Sequence, residues 1–313
     1  MRALFLLSLV TGPLLTGVAV GQADLPYALD QIAASELSRQ KIPGLAAAVV
    51  KDDRIVWDAG LGVASMESKL PVRRDTLFRL GSARVFLAAA MWELSSQGRL
   101  QLTAPAGDYL FGLDARLARL SPEKLLSPPS ELQEEAVATR LIENIRARPA
   151  SVVLEEMIFA PLGMSHTTFA PNVAMTYPLA MGHTTDGKVS RPMQAEGIFT
   201  SAGDLARFLV VFLNEGKEGN ILEQRQVLPR TVVAALSNDS GYGLDADASR
   251  GIRLVEQTST AAGFAAAILM APDFRAGVVV LANRDGASAM TIAQKLLERS
   301  LPVRFPQSLA GVR

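Results

Sequence analysis

The chain has no cysteine among its 313 residues, and that absence closes several routes at once. It excludes disulfides, thiolate metal sites, a cysteine nucleophile and a lipid-modified N-terminal cysteine. Histidine is nearly missing: His166 and His183 are the only two, too few to favour a histidine-built metal centre. No cofactor is expected. Net charge is absent as well, with 31 Lys plus Arg against 31 Asp plus Glu, so no global field draws the protein to nucleic acid or an anionic membrane. Like charges form no long run, and the chain carries neither a phosphate loop nor a G-x-G-x-x-G. Past the leader, no segment approaches the ~20 unbroken apolar residues that a spanning helix needs.

What remains is an ordinary globular composition, 49% hydrophobic and 20% charged, with enough apolar material for a sizeable core. The leader, "MRALFLLSLVTGPLLTGVAVGQADLPY", sets one early positive charge before an apolar run that ends in small residues. This is the layout of a secretory signal peptide over 1–23, with cleavage after Ala23 or Gly21. A retained anchor is the alternative; Gly12, Pro13, Thr16 and Gly17 interrupt the run and argue against it. The expected mature product is a periplasmic or secreted domain over 24–302 with a tail over 303–313.

Periodicity organises the rest. "PYALDQIAASELSRQKIPG" places Leu29, Ile32, Ala33 and Leu37 on one helical face, stopped before Pro43-Gly44. "GLAAAVV" and "RIVWDAGLGVAS", joined by the polar "KDDR", predict a hairpin. Near the other end, "GIRLVEQT", "FAAAILMAP" and "AGVVVLAN" predict strands, with "PDFR" a turn between the last two, before a helix in "SAMTIAQKLLERSL". The middle, from about Thr76 to Asn214, reads as mostly helical; Ser201-x-x-Asp204 opens one helix as a capping box. Residues 121–130, "SPEKLLSPPS", read as loop. The expected fold is α+β: an antiparallel sheet from about 24–75 and 250–300, flanked by the terminal helices, with a mainly helical insert over about 76–214. A site is expected at the seam between the two parts.

Four stretches carry a family resemblance. "DTLFRLGSARVFLAAAMWELSSQGRLQLTAP" resembles a nucleophile helix with its lead-in, and "IFAPLGMSHTTF" is similar to an "IF-x-PLGM-x-x-T-x-F" segment. "GIFTSAGDLARFL" is similar to "GLYSTA-x-DLARF", and "AGFAAAILMAPDFRAGVVVLANRDG" to the strand pair after a third catalytic motif. In this order, over roughly Gly44 to Gly286, the chain resembles the penicillin-recognising serine hydrolases: class C β-lactamases, DD-peptidases and related esterases. The resemblance implies a β-lactamase/transpeptidase-like sandwich. It also implies a serine opening a helix, a lysine three residues on, a Tyr-x-Asn or Ser-x-Asn, and a Lys/His-Thr/Ser-Gly on an edge strand. Residues i and i+3 share a helix face, so such a lysine can reach the serine, a poor nucleophile until its proton is removed.

Carried onto this sequence, the resemblance puts the nucleophile at Ser82, but Val85 replaces the lysine. Arg84 lies off the required face and cannot act as a base. Ser130-Glu131-Leu132 falls at the second motif, with Ser130 and Leu132 in place of Tyr and Asn. Gln257, Thr258 and Ser259 occupy the third, so an amide replaces its cation and a serine its glycine. The chain's lysines, Lys41, Lys51, Lys69, Lys124, Lys188, Lys217 and Lys295, all lie away from motif positions. The backbone N–H groups of Ser82 and Thr260 can still form an oxyanion hole.

Each functional reading has a plainer rival. Ser82 is a vestigial nucleophile position or simply a helix N-cap. Glu196, in "QAEGIF", is a candidate base if partly buried, or a rim glutamate. His166 and His183 read as surface residues. Ser288, in "RDGASAM", imitates a nucleophile elbow, but Met290 stands at its second glycine and no histidine follows. Two functions follow. The first is an exported, catalytically degenerate member of the family that uses its cleft to bind an unknown small ligand or envelope partner. The alternative is a weak or altered serine hydrolase of esterase, amidase, DD-peptidase or β-lactamase type, acylated at Ser82.

Overall fold

A computed structural model describes residues 24–127, 132–190, 197–219, 225–236, 244–247 and 251–302. The leader, Ser130, Glu196 and the tail lie outside the described residues. The N-terminal helix α1 (Asp24–Arg39) leads into β1 (Gly44–Lys51) and β2 (Arg54–Gly62). It stops four residues before the expected Pro43, because Lys41 turns into the left-handed region at φ 52°. The hairpin between β1 and β2 turns at Asp52, φ 58°. Strand β3 (Phe78–Leu80) and helix α2 (Arg84–Ser96) open the middle region.

That region holds helices α3 (Leu132–Arg146), α4 (Ala202–Leu213) and α5 (Arg230–Leu236), with a short strand β4 (Ile198–Thr200) paired to β3. Helix α5 packs against α2, so the helical layer continues past Asn214. The stretch expected as loop contains a one-turn helix, Pro122–Leu125, because Ser121 caps it and proline suits a first helical turn. The chain then returns as β5 (Asp245–Asp247), β6 (Leu254–Ala261), β7 (Phe264–Ala271) and β8 (Ala276–Ala282), closing on helix α6 (Ala289–Ser300).

The sheet order is β2-β1-β8-β7-β6-β5, antiparallel throughout. Both faces are covered, so the strands read as nearly continuous apolar runs. Period two still sorts them. Leu45, Ala47 and Val49 face one way, with Leu269, Val278 and Val280, into a core completed by Leu29 of α1 and Ile292 and Leu296 of α6. Ala46, Ala48 and Val50 face the other way, with Ile268 and Val279, against Phe86 and Met91 of α2 and Phe208 of α4. Each fully buried large side chain contributes about 1.5–3 kcal/mol of transfer free energy. The α+β arrangement expected from the sequence, an antiparallel sheet flanked by the terminal helices with a mainly helical insert, is the fold observed. No helix among the described residues is long and apolar enough to cross a membrane.

Two polar fixtures hold the parts in register. Asn283, buried at the end of β8, accepts from the Gly44 N–H at 2.6 Å and donates to the carbonyls of Val63 and Ala64, each at 3.1 Å. Ser201 caps α4, its Oγ accepting from the Asp204 N–H at 3.1 Å. The capping box is only half made, because the Asp204 carboxylate turns away from Ser201. It accepts from the His166 N–H at 2.7 Å, the Thr167 hydroxyl at 2.9 Å and Arg207 at 2.7 Å, tying the "GMSHTTF" loop to α4.

Candidate active site

Strand β3 ends at Leu80, and the next residue explains how the chain turns into α2. Gly81 lies so close to β6 that a Cβ there would stand 2.0 Å from the Thr260 carbonyl oxygen. Only glycine permits that approach. Ser82 follows immediately, at the seam between the sheet and the helical layer. It stands one residue ahead of the cap position of α2, which falls on Ala83 and lacks a side-chain capping bond. The Ser82 hydroxyl nevertheless accepts from the Arg84 N–H at 3.2 Å.

The position of the missing lysine offers no proton acceptor: Val85 is 0% exposed, packed in the core with Phe86. Arg84 points across to the edge strand, where it pairs with Asp245 Oδ2 at 3.0 Å. The partner of the hydroxyl comes from α3. Ser82 Oγ donates to Glu135 Oε1 at 2.6 Å, while Glu135 Oε2 accepts from the Ala83 N–H at 3.3 Å. A bond of that length from a hydroxyl to a carboxylate is of the charge-assisted kind. Burial pushes the Glu135 carboxyl above the usual carboxylate range; the Ser82 hydroxyl, the Ala83 N–H and the charge of Arg84 pull back against it.

Strand β6 supplies the opposite wall. Gln257, 3% exposed, brings Nε2 to 3.5 Å from Ser82 Oγ, the outer limit of a hydrogen bond. Its Oε1 and the Ser259 Oγ are buried without a hydrogen-bond partner among the described residues, whereas Thr258 and Thr260 alternate to the exposed side. Leu132, the first residue of α3, is 74% exposed on the rim. Of the second-motif residues read from the sequence, Ser130 lies outside the described residues and Leu132 is on the rim; the polar group of α3 that meets Ser82 is Glu135. An open cleft of about 980 Å³ joins Ser82, Glu135, Leu132 and Thr260.

A second depression, of about 730 Å³, lies beside the β7–β8 turn, lined in part by Phe212, Lys217, Arg230 and Arg275. No serine, threonine or histidine is among its described lining residues. Neither histidine lines the cleft. His183 is not the surface residue expected: its Nε2 is buried without a hydrogen-bond partner among the described residues, and burial pulls its pKa down.

Glu135 is the residue that motif reading misses. Its signal is present: with Ala138 and Ile142 at i+3 and i+7, it stands in the apolar stripe of α3, where a carboxylate needs a reason. Its neighbour Glu134 pairs with Arg116 at 2.7 Å.

Comparison with known proteins sets this geometry among relatives. The sequence model of the beta-lactamase family matches residues 29–132 and 135–300. The chain is similar to a "Beta-lactamase" of Pseudomonas fluorescens, 23% identical over 85% of this chain and 95% of that protein. It is also 24% identical to the "Unguisins hydrolase ungD" of Aspergillus violaceofuscus, over 84% of this chain but only 62% of that longer protein. An octameric penicillin-binding protein homologue from Pyrococcus abyssi superposes with a TM-score of 0.75 at 19% identity, over 87% of this chain and 76% of that one. At such identity the superposition speaks for fold alone.

Proposed function

The chain belongs to the beta-lactamase family, and from that premise we propose that it is a serine hydrolase in which Glu135, and no lysine, takes the proton of Ser82. The observation that carries the reading is the 2.6 Å bond between Ser82 Oγ and Glu135 Oε1. The degenerate-shell reading rests on the losses at Val85, Leu132 and Gln257; a carboxylate of α3 within hydrogen-bond reach of Ser82 speaks against the first of them.

The chemistry balances with one carboxylate. Glu135 accepts the Ser82 proton as Oγ bonds to the acyl carbon, and the carbonyl oxygen takes up the electron pair. The N–H groups of Ser82 and Thr260 receive that oxyanion. Collapse expels the leaving group, which takes its proton from the Glu135 carboxyl. Water then attacks the acyl-serine, Glu135 accepts the water's proton, and Ser82 regains a proton as the acid departs. A carboxyl pushed up by burial suits both directions of transfer. The names of the relatives, a hydrolase and a beta-lactamase, support the same reaction class. The apolar leader supports export to the periplasm or the medium.

Treatment with a fluorophosphonate and a labelled penicillin, read by intact mass, tests the proposal. The parent should gain a stoichiometric adduct with at least one probe, and Ser82→Ala should gain none. Glu135→Gln should react more slowly by about 10²–10⁴-fold. An inert parent would return the protein to the binding reading.

A further inference from the structure

We infer that the acyl donor is a neutral molecule with an apolar acyl group, and that Gln257 and Leu132 set this choice. The inference rests on the hydrolase reading above. Its first support is charge. The described residues lining the cleft include two carboxylates, Glu135 and Asp285, against one guanidinium, Arg79. Arg79 already has partners within the fold. Arg84 gives its charge to Asp245. An ionised Glu135, which the reaction requires, repels any carboxylate brought beside Ser82.

The second support is Gln257. An uncharged amide, 3.5 Å from the nucleophile, holds the place where a cation would steer an anionic substrate. Its buried Oε1, without a hydrogen-bond partner among the described residues, adds a partial negative charge to that wall. A carboxylate entering there meets an amide N–H at most, and no full positive charge from this wall.

The third support is shape. Leu87 of α2, Leu132 and Ala136 of α3, Phe169 and Ile198 are apolar residues that line the cleft. Leu132 stands at its mouth, 74% exposed. A hydrocarbon chain laid against these residues leaves water along its length, whereas a charged chain must be desolvated there.

The test compares nitrophenyl hexanoate with the nitrophenyl half-ester of adipic acid, which matches it in acyl length and adds a terminal carboxylate. Turnover is corrected for Ser82→Ala and normalised to each ester's hydroxide-catalysed rate. The parent should favour the neutral ester in kcat/KM by about tenfold or more, from like-charge repulsion and lost burial. Gln257→Lys should narrow that ratio several-fold by raising the half-ester. Leu132→Asp, at an exposed position that does not threaten folding, should erase the preference for hexanoate over acetate. Equal use of both esters by the parent, or ratios unmoved by both substitutions, overturns the inference while Ser82- and Glu135-dependent turnover leaves the hydrolase reading standing. Absence of any Ser82-dependent turnover overturns both.

Discussion

At the scale of single residues, function and stability pull Glu135 in opposite directions. Its pKa is raised in the folded protein, so ionisation is penalised there relative to the unfolded chain. Stability from this site is therefore greatest at low pH and diminishes as pH rises and the carboxyl ionises. Glu135→Gln keeps an oxygen for the Ser82 hydroxyl and removes the penalty, so at neutral pH its melting temperature should equal or exceed that of the parent while hydrolysis falls. Calorimetry beside an ester assay checks both halves. The same shift fixes the pH profile: a general base works ionised, so kcat/KM should fall on acidification, with a midpoint above the ordinary carboxylate value. Glu135→Asp, whose acid sits closer to water at the end of a shorter stem, should move that limb downward. Sequence made Ser82, Val85 and Gln257 legible because each sits at a fixed offset within a motif. Glu135 lies 53 residues from its partner, on a helix whose start no motif marks, and only tertiary packing unites them.

At the scale of elements, the site depends on how tightly β3 is drawn onto β6. Gly81→Ala would set a methyl group 2.0 Å from the Thr260 carbonyl, a backbone atom that cannot swing aside. The strands must separate instead, at a cost of about 1–3 kcal/mol. Denaturant titration should show the loss of stability, and acylation of Ser82 should weaken with it, because the oxyanion pair spans the same contact. Elements were easiest to read where local chemistry governs them. The β1–β2 and β7–β8 hairpins follow from apolar runs cut by "KDDR" and "PDFR", and helix α6 from its stripe of Ile292, Leu296 and Leu297. The half-made capping box was hidden, since the fate of the Asp204 side chain depends on a loop 38 residues earlier in the chain. The start of α3 escaped for a related reason. Its first turn carries Glu134 and Glu135 side by side, both drawn into the fold, and the apolar stripe marks Glu135 as out of place without saying that Ser82 is what it meets.

At the scale of the whole molecule, the two chain ends are clasped by one buried carboxylate. Glu36 of α1, 2% exposed, accepts from Lys295 of α6 at 2.6 Å, from Arg39 and from Gln40. Burial alone would push its carboxyl up; the donors outweigh it and hold it at about 2, against an ordinary 4.5. A folded pKa lowered in this way contributes stability that is complete above the unfolded value and is lost as pH falls through the folded one. Because Arg39 and Lys295 are partly solvated, Glu36→Gln should cost about 1–3 kcal/mol at neutral pH. The deficit should shrink between about pH 5 and pH 2, which urea titrations across that range would reveal.

The sheet order carries a last consequence. Strand β1, among the first to be synthesised, lies between β2 and β8, and β8 is the last strand of all. A growing polypeptide therefore holds half a sandwich, one long edge of β1 unzipped, until residue 282 and the helix behind it have been made. Closure spans nearly the entire contour of the domain, and such distant pairing makes for slow folding.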